Sequence, residues 1–409
     1  MSALDFPSSP SVGQKYPASP VAGVPTYTWD GEKWTTIGGA TSGGMAVLYD
    51  TVQTLTAPQQ QQARQNIYAA PFDAMAYNGM QINGSMDISQ EVAAAGVSVS
   101  NTTKYPVDQW ALASTGSQVV SGVQNAAAPP GFVNALQVYA TTANASPAAG
   151  NYAFLSTRLE GQRIYRLGFG SASASSMTVG FWIYSTKTGV FSGAVINGAS
   201  TRSYVFTFTV NAANTWEYKV ITIPGDTTGT WVKDNTMGMQ LIFTMMTGST
   251  YQTTAGVWTA GVFFGVAGSV NLLANTSDFW LITGVTIHPG NEAPSVARSP
   301  FIMRPYQQEL VLCQRYYRKT TGEPGSEPTL YAYSGIASAS IGYTIAFPVP
   351  MRVVPTITLF GTWTVNLVGQ PLVAGASATS YTIYAIANAA GNCFFQPNGS
   401  GIVAFDARM

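Results

Sequence analysis

Carboxylates are the residues of this sequence most able to carry out covalent chemistry. Cleavage of a glycosidic bond needs a carboxyl group on either side of that bond, and the segment 96–300 contains Asp108, Glu160, Glu217, Asp226, Asp234 and Asp278. Their positions argue against a catalytic pair, because Glu217 falls inside a predicted strand and Asp226 and Asp234 flank a turn. The repeats of a long parallel β-helix, the usual scaffold of depolymerases, are not visible. Hydrolysis of a polysaccharide is therefore a lesser alternative, and we expect no catalytic residues and no enzyme.

Metal and cofactor chemistry lacks suitable residues in the sequence. His288 is the only histidine, and it precedes Pro289 at the end of a predicted strand, with no cysteine or paired carboxylate at ligand spacing. No nucleophile elbow, P-loop or dinucleotide fingerprint is visible. We expect no metal and no cofactor, and we interpret His288 as a hydrogen-bonded residue at a strand end.

Uncharged side chains could bind a sugar without cleaving it. Sugars present apolar ring faces and hydroxyl edges, which suit aromatic rings beside amide and carboxyl groups. Such residues lie near predicted turns or strand ends, and the candidate carbohydrate-binding set is Trp231, Asp234, Asn235, Tyr251, Gln252, Trp258 and Trp280. Each aromatic residue of this set also fits the core of a β-sandwich. The same chemistry is available in the segment 320–409, from Trp363, Tyr381, Tyr384 and Phe395.

Strand patterns surround these candidates. Between residues 96 and 298, runs rich in apolar residues alternate with Gly, Asn and Ser turns and predict strands at 177–185, 202–210, 216–224, 237–245 and 279–290. Such spacing without a helical period is typical of an antiparallel sandwich or jelly roll. A second β-patterned block follows at 320–409. The predicted fold is mainly β, with antiparallel β-sandwich or jelly-roll domains in tandem, a small N-terminal hairpin module and short helices.

A short connecting helix is predicted within residues 301–319, between the jelly roll at 96–300 and the C-terminal β-sandwich at 320–409. Cations crowd its C-terminal end, where they suit the helix dipole. The residues that recur at the spacing of one helix face are Tyr306, Leu310, Cys313 and Tyr317. This face could supply contacts around a three-fold axis, so these four residues are candidate trimer contacts.

Residues 1–40 form a small N-terminal module. The string TYTWDGEKWTTI alternates on both sides of Asp30 and Gly31, which predicts a hairpin with a two-residue turn. Its aromatic residues Tyr27, Trp29 and Trp34 either dock on another protein or merely cover one another, since the module is too small for a core of its own.

Residues 41–95 combine a Gly-rich linker with a short helical stem. Thr56 and Gln59 form a capping-box pattern, so a helix is predicted over 57–69. This helix is Gln-rich and would be marginal alone.

The chain is sparsely charged. It has 18 Lys and Arg and 18 Asp and Glu among 409 residues, or 9%, where a typical soluble domain has roughly 25%. A net charge of zero without a basic run argues against a nucleic-acid partner, because phosphate binding needs clustered cations. No run of about 18 apolar residues could span a bilayer, so membrane insertion is not expected. Low charge suits a surface that is buried against other subunits or covered by neutral polar groups.

The two cysteines, Cys313 and Cys393, lie far apart in sequence and form no disulfide framework. A single bridge is one interpretation, and two buried free thiols are the favoured one. The start, MSALDFPSSP, has neither a basic region nor an apolar core, so no secretory signal is expected.

Several strings resemble one class of protein. RPYQQELVLCQRYYRK, followed by FPVPMRVVPTITL, resembles the C-terminal part of tailed-bacteriophage tail fibres and related adhesins. LTAPQQQQARQNIYA resembles a motif of tail-fibre shafts, in which three copies pack round a common axis. VNAANTWEYKVITIPGDTTGTW and FWLITGVTIHPGN resemble the carbohydrate-binding-module-like jelly rolls of such fibres. DFPSSPSVGQKY with TWDGEKW is similar to N-terminal modules of phage structural proteins.

The resemblance implies a bacteriophage virion fibre or appendage protein. Its residues 1–40 would attach to other virion proteins through Tyr27, Trp29 and Trp34, and its helices would lie near the axis of a homotrimer. The implied function is adhesion of a tail fibre to a host surface glycan without catalysis. The virion would be assembled in the bacterial cytoplasm and released on lysis. The alternative is a capsid or neck appendage with a structural role.

Overall fold

The computed structural model describes residues 6–19, 26–36, 56–66, 79–324 and 326–409. These residues fall into two compact units, one within residues 1–71 and the other within residues 72–409. In the described residues, strands predominate and pair in antiparallel sheets, which confirms the predicted mainly β class.

The first unit contains a three-stranded sheet made of β1 (Lys15–Tyr16), β2 (Tyr27–Trp29) and β3 (Trp34–Thr36). Trp29 pairs with Trp34 across β2 and β3, so the turn spans residues 30–33, and the predicted two-residue turn is wrong. The reason is Asp30, whose carboxylate accepts hydrogen bonds from the backbone amides of Glu32 and Lys33, each at 2.9 Å.

The same unit contains helix α1 (Ala57–Asn66). The side-chain oxygen of Gln59 accepts hydrogen bonds from the backbone amide and the hydroxyl of Thr56, at 2.9 and 3.0 Å, so the predicted cap is present. The rest of the predicted helix, residues 67–69, lies outside the described residues, as does the Gly-rich linker at 38–44.

The second unit begins with a two-layered β-sandwich. In chain order its elements are β4 (Val97–Val99), β5 (Thr102–Val107), β6 (Trp110–Thr115), β7 (Val119–Asn125), β8 (Ala135–Thr142), β9 (Tyr152–Glu160), α2 (Gly161–Ile164), β10 (Met177–Ser185), β11 (Gly189–Asn197), β12 (Arg202–Val210), β13 (Trp216–Ile223), β14 (Met237–Thr247), β15 (Trp258–Ala260) and β16 (Phe279–Pro289). The five predicted strands correspond to β10, β12, β13, β14 and β16. Short 3₁₀ turns in the second unit are Ala93–Ala95, Tyr165–Leu167, Ser249–Tyr251, Leu272–Ala274 and Ser299–Ile302.

The two layers are antiparallel sheets that enclose one core. The six-stranded sheet has the order β13-β10-β16-β8-β7-β4, and the seven-stranded sheet has the order β15-β12-β11-β14-β9-β6-β5. Alternate residues of a strand point to opposite faces, so β10 buries Phe181 and Ile183 in the core and turns Trp182 and Tyr184 outward. Phe181 meets Phe243 of β14 with ring centroids 4.8 Å apart, which places the core between the layers.

Residues 79–95 pack on this sandwich, although they were expected to belong to the stem. Met86 is fully buried in the sandwich core, and its carbonyl accepts a 2.7 Å hydrogen bond from the Gln124 amide. The side-chain oxygen of Gln81 accepts a 2.9 Å bond from the backbone amide of Ile287 in β16. Within the chain, the sandwich therefore covers Met86, whereas Ile82 and Ile88 pack in a separate cluster with Cys313 and Tyr316.

Helix α3 (Tyr306–Gln314) follows the sandwich. The next residue, Arg315, donates two hydrogen bonds to the carboxylate of Glu160 at the end of β9, at 2.8 and 2.9 Å. The hydroxyl of Tyr316 donates a third, at 2.6 Å. Glu160 is fully buried, so this ion pair ties the end of α3 to the jelly roll.

Three small antiparallel sheets form the C-terminal domain around a second core. Their strands are β17 (Tyr317–Lys319), β18 (Leu330–Ser334), β19 (Ser340–Ala346), β20 (Thr356–Phe360), β21 (Trp363–Asn366), β22 (Leu372–Ala376), β23 (Ser380–Ile386), β24 (Gly391–Pro397) and β25 (Ile402–Asp406). The sheet orders are β17-β25-β20, β18-β24-β21 and β19-β23-β22. Phe395 and Phe405 lie in the core and are fully buried.

Candidate functional site

The outer face of the six-stranded sheet carries a row of aromatic side chains, here called the aromatic strip. It consists of Trp216 of β13, Tyr184 of β10, Phe279 of β16 and Tyr139 of β8, on four strands that are neighbours in the sheet. In register, Tyr184 is opposite Trp216 and Phe279 is opposite Tyr139. All four rings are half-buried. Because three strand spacings separate the outer strands, the strip is about 14 Å long.

The rings of the strip support one another. The centroid of Tyr184 lies 5.8 Å from that of Trp216 and 5.9 Å from that of Phe279, and Tyr184 and Phe279 are nearly parallel, at 17°. Leu281, on the same face of β16, is buried opposite Tyr184. The strip is therefore a floor of fixed rings rather than a set of isolated surface residues.

A second pair of outward rings is partly covered. Trp182 and Tyr218 lie two residues further along β10 and β13, with centroids 5.4 Å apart. The indole N–H of Trp182 donates a 2.9 Å hydrogen bond to the hydroxyl of Ser299, which is buried. The segment around Ser299 thus closes one side of the sheet face and leaves the strip on the other side.

Neutral polar groups flank the strip. The hydroxyl of Tyr184 donates to the side-chain oxygen of Asn214 at 3.4 Å. On the far side, the side-chain amide of Asn125 donates to the side-chain oxygen of Gln137 at 2.8 Å, and Gln137 shares the outer face of β8 with Tyr139. Amides and hydroxyls beside apolar rings can recognise a polar ligand that has apolar faces, without a need for charge.

The structure brings together two of the predicted sugar-binding residues, Trp231 and Trp258, whose ring centroids lie 5.6 Å apart. Both rings are half-buried. The indole N–H of Trp231 donates to Asp226 at 3.2 Å, and that of Trp258 donates to the Pro224 carbonyl at 2.8 Å. These two residues lie away from the strip, on segments that adjoin the seven-stranded sheet.

The other predicted sugar-binding residues have separate roles. Asp234 accepts hydrogen bonds from the backbone amide and hydroxyl of Thr236, which lower its pKa. The side-chain amide of Asn235 donates to the carbonyl of Arg352 at 2.8 Å, so it joins the jelly roll to the C-terminal domain. Asp234 and Asn235 are close to Trp231 in sequence, but each has a separate structural role.

Tyr251 and Gln252 lie in another cluster. Tyr251 stacks on Phe264 at 4.8 Å, and the side-chain amide of Gln252 donates to the Thr247 carbonyl at 2.9 Å. Trp280 is fully buried and packs on Phe191, with centroids 4.9 Å apart, because β16 turns it toward the core. The prediction that Trp280 contributes to a binding surface is wrong.

The four residues of the predicted trimer face do not form one surface in the structure. Helix α3 ends at Gln314, so Tyr317 lies in β17, where it is buried and pairs with Asp406 of β25. Cys313 is fully buried in a cluster with Ile82 and Ile88 of the same chain. These two residues are unsuitable as contacts with another subunit.

Two of the predicted trimer contacts remain at least partly exposed to solvent. Tyr306 is exposed, and Leu310 is half-buried against the same cluster as Cys313.

The candidate virion-attachment residues Tyr27 and Trp34 both pack on Phe6, each with a centroid distance of 5.0 Å, and Trp29 packs on Trp34 at 5.6 Å. These candidate attachment residues and Phe6 therefore cover one another. In the C-terminal domain, Trp363, Tyr381 and Phe395 are core residues, and Tyr384 is half-buried.

Each of the six carboxylates considered above as candidates for hydrolysis has a structural partner. Asp108 accepts a hydrogen bond from the backbone of Gln90, and burial raises its pKa to about 6 against the effect of this bond. The remaining five pair with a cation or a hydroxyl, in the combinations Glu160 with Arg315, Glu217 with Lys219, Asp226 with Arg202, Asp234 with Thr236, and Asp278 with Lys187.

No group of three or more His, Cys, Asp or Glu side chains suited to a metal ion is found in the described ranges. His288 is buried in β16 opposite Thr178. Cys313 and Cys393 are both free and buried. Of the helices within the described residues, none has the length and apolar character to cross a membrane.

No protein-family model and no curated protein matches this sequence. Among solved structures, the chain is similar to the enzymatically active domain of tailspike protein 4 of bacteriophage CBA120, with 12% identity, 52% of this chain and 22% of that chain covered, and a TM-score of 0.28. It is also similar to a family 11 carbohydrate-binding module of Clostridium thermocellum in complex with a mixed-linked tetrasaccharide, with 13% identity, 47% and 96% coverage, and a TM-score of 0.25.

A family 22 carbohydrate-binding module of Clostridium thermocellum is similar as well, with 12% identity, 46% and 89% coverage, and a TM-score of 0.24. The chain thus spans less than a quarter of the tailspike chain and most of each binding module. At these identities and TM-scores the similarities do not bear on function, which has to be inferred from the geometry of the chain itself.

Proposed function

We propose that this protein binds a neutral carbohydrate along the aromatic strip and does not cleave it. The observation that carries the proposal is the row of four half-buried rings on four neighbouring strands, flanked by the amides of Asn214, Asn125 and Gln137. Apolar sugar faces stack on the rings, and sugar hydroxyls exchange hydrogen bonds with the amides. A strip of about 14 Å favours several sugar units in a chain over a single sugar.

Binding without cleavage is supported by the carboxylates. An inverting or retaining hydrolase needs two carboxyl groups that face the same bond. The six candidate carboxylates are occupied by the hydrogen bonds and ion pairs described above. Two of them adjoin strip residues in sequence, Glu217 beside Trp216 and Asp278 beside Phe279. Glu217 pairs with Lys219 at 2.5 Å and accepts the backbone amide of Asn211 at 2.8 Å, and Asp278 pairs with Lys187 at 3.3 Å.

The proposed setting is a bacteriophage virion, with the protein as a tail fibre that adheres to a host surface glycan. The sequence strings that resemble tail fibres support this setting, and residues 1–40 are the proposed site of attachment to other virion proteins. Several weak sites on one fibre would raise the overall affinity through effective concentration.

A structural appendage of the capsid or neck is the second candidate. It is favoured by the C-terminal domain, where apolar side chains remain exposed, among them Tyr331 at 67% and Tyr333 at 72%. Exposed apolar area of this kind marks contacts between proteins. A homotrimer would bury it, and trimerisation is compatible with both candidates.

The test is direct binding of the full chain to an array of neutral bacterial surface polysaccharides, with release of reducing ends measured in parallel. Tyr184→Ala and Trp216→Ala should each weaken binding about tenfold, because a ring at the centre of a binding surface contributes more than about 1 kcal/mol. Tyr333→Ala and Trp29→Ala are matched controls, since they remove the same ring types elsewhere, and should bind like the wild type.

Binding to a neutral glycan that needs Tyr184 and Trp216, with no new reducing ends, would support the proposal. New reducing ends would favour hydrolysis. No binding to any polysaccharide of the array would overturn the adhesive function and favour the structural appendage. Because the strip is neutral, its affinity should change little with salt.

A further inference from the structure

A cavity of about 290 Å³ lies apart from the aromatic strip, beside the turn Tyr165–Leu167. Its walls come from three segments: α2 with this turn, residues 168–171, and residues 229–233. Tyr165, Phe169 and Trp231 supply rings, and Ser171 and Lys233 supply polar groups. The volume is at the lower end of the range for ligand pockets, so it suits one ring-sized ligand rather than a chain.

Two glycines allow the walls to approach each other. Gly170 has φ +83° and Gly229 has φ +79°, a conformation that favours glycine. A Cβ atom on Gly170 would lie 2.7 Å from the carbonyl oxygen of Gly229, so no larger residue fits there. The backbone amide of Gly170 also donates a 2.7 Å hydrogen bond to the carbonyl of Asp226, which fixes one wall to the next.

Trp231 is held in place before any ligand arrives. Its indole N–H donates to the Asp226 carboxylate at 3.2 Å, and Arg202 holds that carboxylate with two further bonds of 3.0 and 2.6 Å. Burial raises the pKa of Asp226, but these hydrogen bonds outweigh burial and keep the pKa below its usual value. Phe169 packs on the indole with a centroid distance of 4.9 Å. A preorganised ring loses little conformational entropy on binding.

The charge around the cavity is positive. Of the eleven described residues that line it, Lys233 alone is charged, and its side chain is exposed. Arg166 does not line the cavity but is a second cation nearby, since its guanidinium donates a 3.2 Å hydrogen bond to the hydroxyl of the lining residue Tyr165. Of the nearest acidic side chains, Asp226 is paired with Arg202, whereas Asp234 accepts the hydroxyl of Thr236 and keeps its negative charge, so Lys233 and Arg166 together leave one net positive charge.

We propose that this cavity is a second binding site that takes the carboxylate-bearing ring of an acidic sugar, such as a hexuronate. The sugar ring lies against Trp231 and Tyr165, and its carboxylate points toward Lys233 and Arg166. The site differs from the aromatic strip in size and charge, so it extends the protein's ligands from neutral chains to single acidic sugar units. It does not depend on the function proposed for the strip.

The experiment measures binding of the full chain to sodium glucuronate, to methyl β-glucuronoside, to glucose and to acetate, by saturation-transfer NMR and calorimetry. The glucuronoside represents a sugar unit within a polysaccharide, and acetate represents an anion without a ring. We expect weak binding of both glucuronate forms and none of glucose or acetate. Raising NaCl from about 20 mM to about 500 mM should weaken glucuronate binding severalfold, because exposed charges are screened.

Lys233→Gln should weaken glucuronate binding about fivefold and Lys233→Glu should abolish it, since the second change reverses the charge. Lys104→Gln, which removes an exposed lysine of β5, is the matched control and should bind normally. Neither substitution at Lys233 removes a buried contact, so both variants should fold.

Equal binding of glucose, equal binding of acetate, or normal binding by Lys233→Glu would each overturn the proposal. The variant with both Tyr184→Ala and Trp216→Ala separates the two sites. If that variant loses glucuronate and Lys233→Glu retains it, the ligand occupies the strip, and the second site is refuted while the first is not. Binding of free glucuronate but not of the glucuronoside would restrict the site to the free acid.

Discussion

Replacing Arg315 with methionine should destabilise the second unit far more than the loss of an ordinary surface charge. Arg315 provides two of the hydrogen bonds that reach the fully buried carboxylate of Glu160, at 2.8 and 2.9 Å. Without it, the carboxylate keeps the hydroxyl of Tyr316 and the side-chain amide of Gln162 but loses the cation bonded to it, and only the electrostatic attraction of the nearby Arg163 remains. A buried charge without a counter-charge is expensive.

The magnitude follows from the burial of the two partners. Removing one partner of a buried ion pair costs about 3 to 5 kcal/mol. The side chain of Arg315 is 26% exposed, so water can reach part of the vacated space. We therefore expect the lower end, about 3 kcal/mol, which corresponds to a fall in melting temperature of roughly 5 °C for a domain of this size.

Urea denaturation at pH 7, followed by circular dichroism and tryptophan fluorescence, measures this change. Lys187→Met is the matched control, because Lys187 is 27% exposed and its partner Asp278 is not fully buried. That substitution should cost about 1 kcal/mol or less. A triple variant with Glu160→Met, Arg315→Met and Tyr316→Phe removes the stranded carboxylate and should recover most of the lost stability, since apolar replacements of a buried pair are often neutral.

A loss below about 1 kcal/mol in Arg315→Met would refute the reasoning, because the pair would then behave like a surface salt bridge. A triple variant less stable than Arg315→Met would refute it in another way. The stranded charge would then not be the source of the cost.

The remaining predictions concern pH and assembly. Asp108 has a pKa of about 6 in the folded chain and about 3.9 in the unfolded chain. Its contribution to the free energy of unfolding is therefore fully present below about pH 4 and is lost by about pH 6. The free energy of unfolding falls by about 3 kcal/mol across this range. The difference in urea stability between the wild type and Asp108→Asn should therefore change across this window, and a difference independent of pH would contradict the assignment. Light scattering should give a mass of three times 43.2 kDa, because assembly covers the apolar side chains of the C-terminal domain; a folded monomer at micromolar concentration would rule out the trimer.

Much of the jelly roll can be predicted from the sequence because its strands are apolar runs of strand length that turn residues separate. Three long strands, β10, β12 and β16, lie where the apolar patterns place them, and the turns between them carry Gly, Asn and Ser. The order of the strands in each sheet cannot be predicted from local sequence patterns. Strand β8 lies beside β16, although more than 130 residues separate Val138 from its partner Trp280.

The aromatic strip cannot be predicted from the sequence for a related reason. The sequence patterns favour rings at turns and strand ends as candidates, whereas the strip lies on strand faces. The sequence does contain an indication, since Trp182 and Tyr184 alternate along β10 with the core residues Phe181 and Ile183. Four rings become one surface only through the pairing of β13, β10, β16 and β8, which no single segment encodes.

The alternation in β10 also gives neighbouring residues different roles, one in stability and one in the binding surface. Phe181 and Ile183 are fully buried and set stability, whereas Tyr184 faces outward and belongs to the strip. Substitutions at outward positions can therefore change which ligand is preferred without altering the packing between the sheets. A library restricted to Tyr139, Tyr184, Trp216 and Phe279 should yield folded variants with new specificities, so the sheet can serve as a scaffold for engineered recognition.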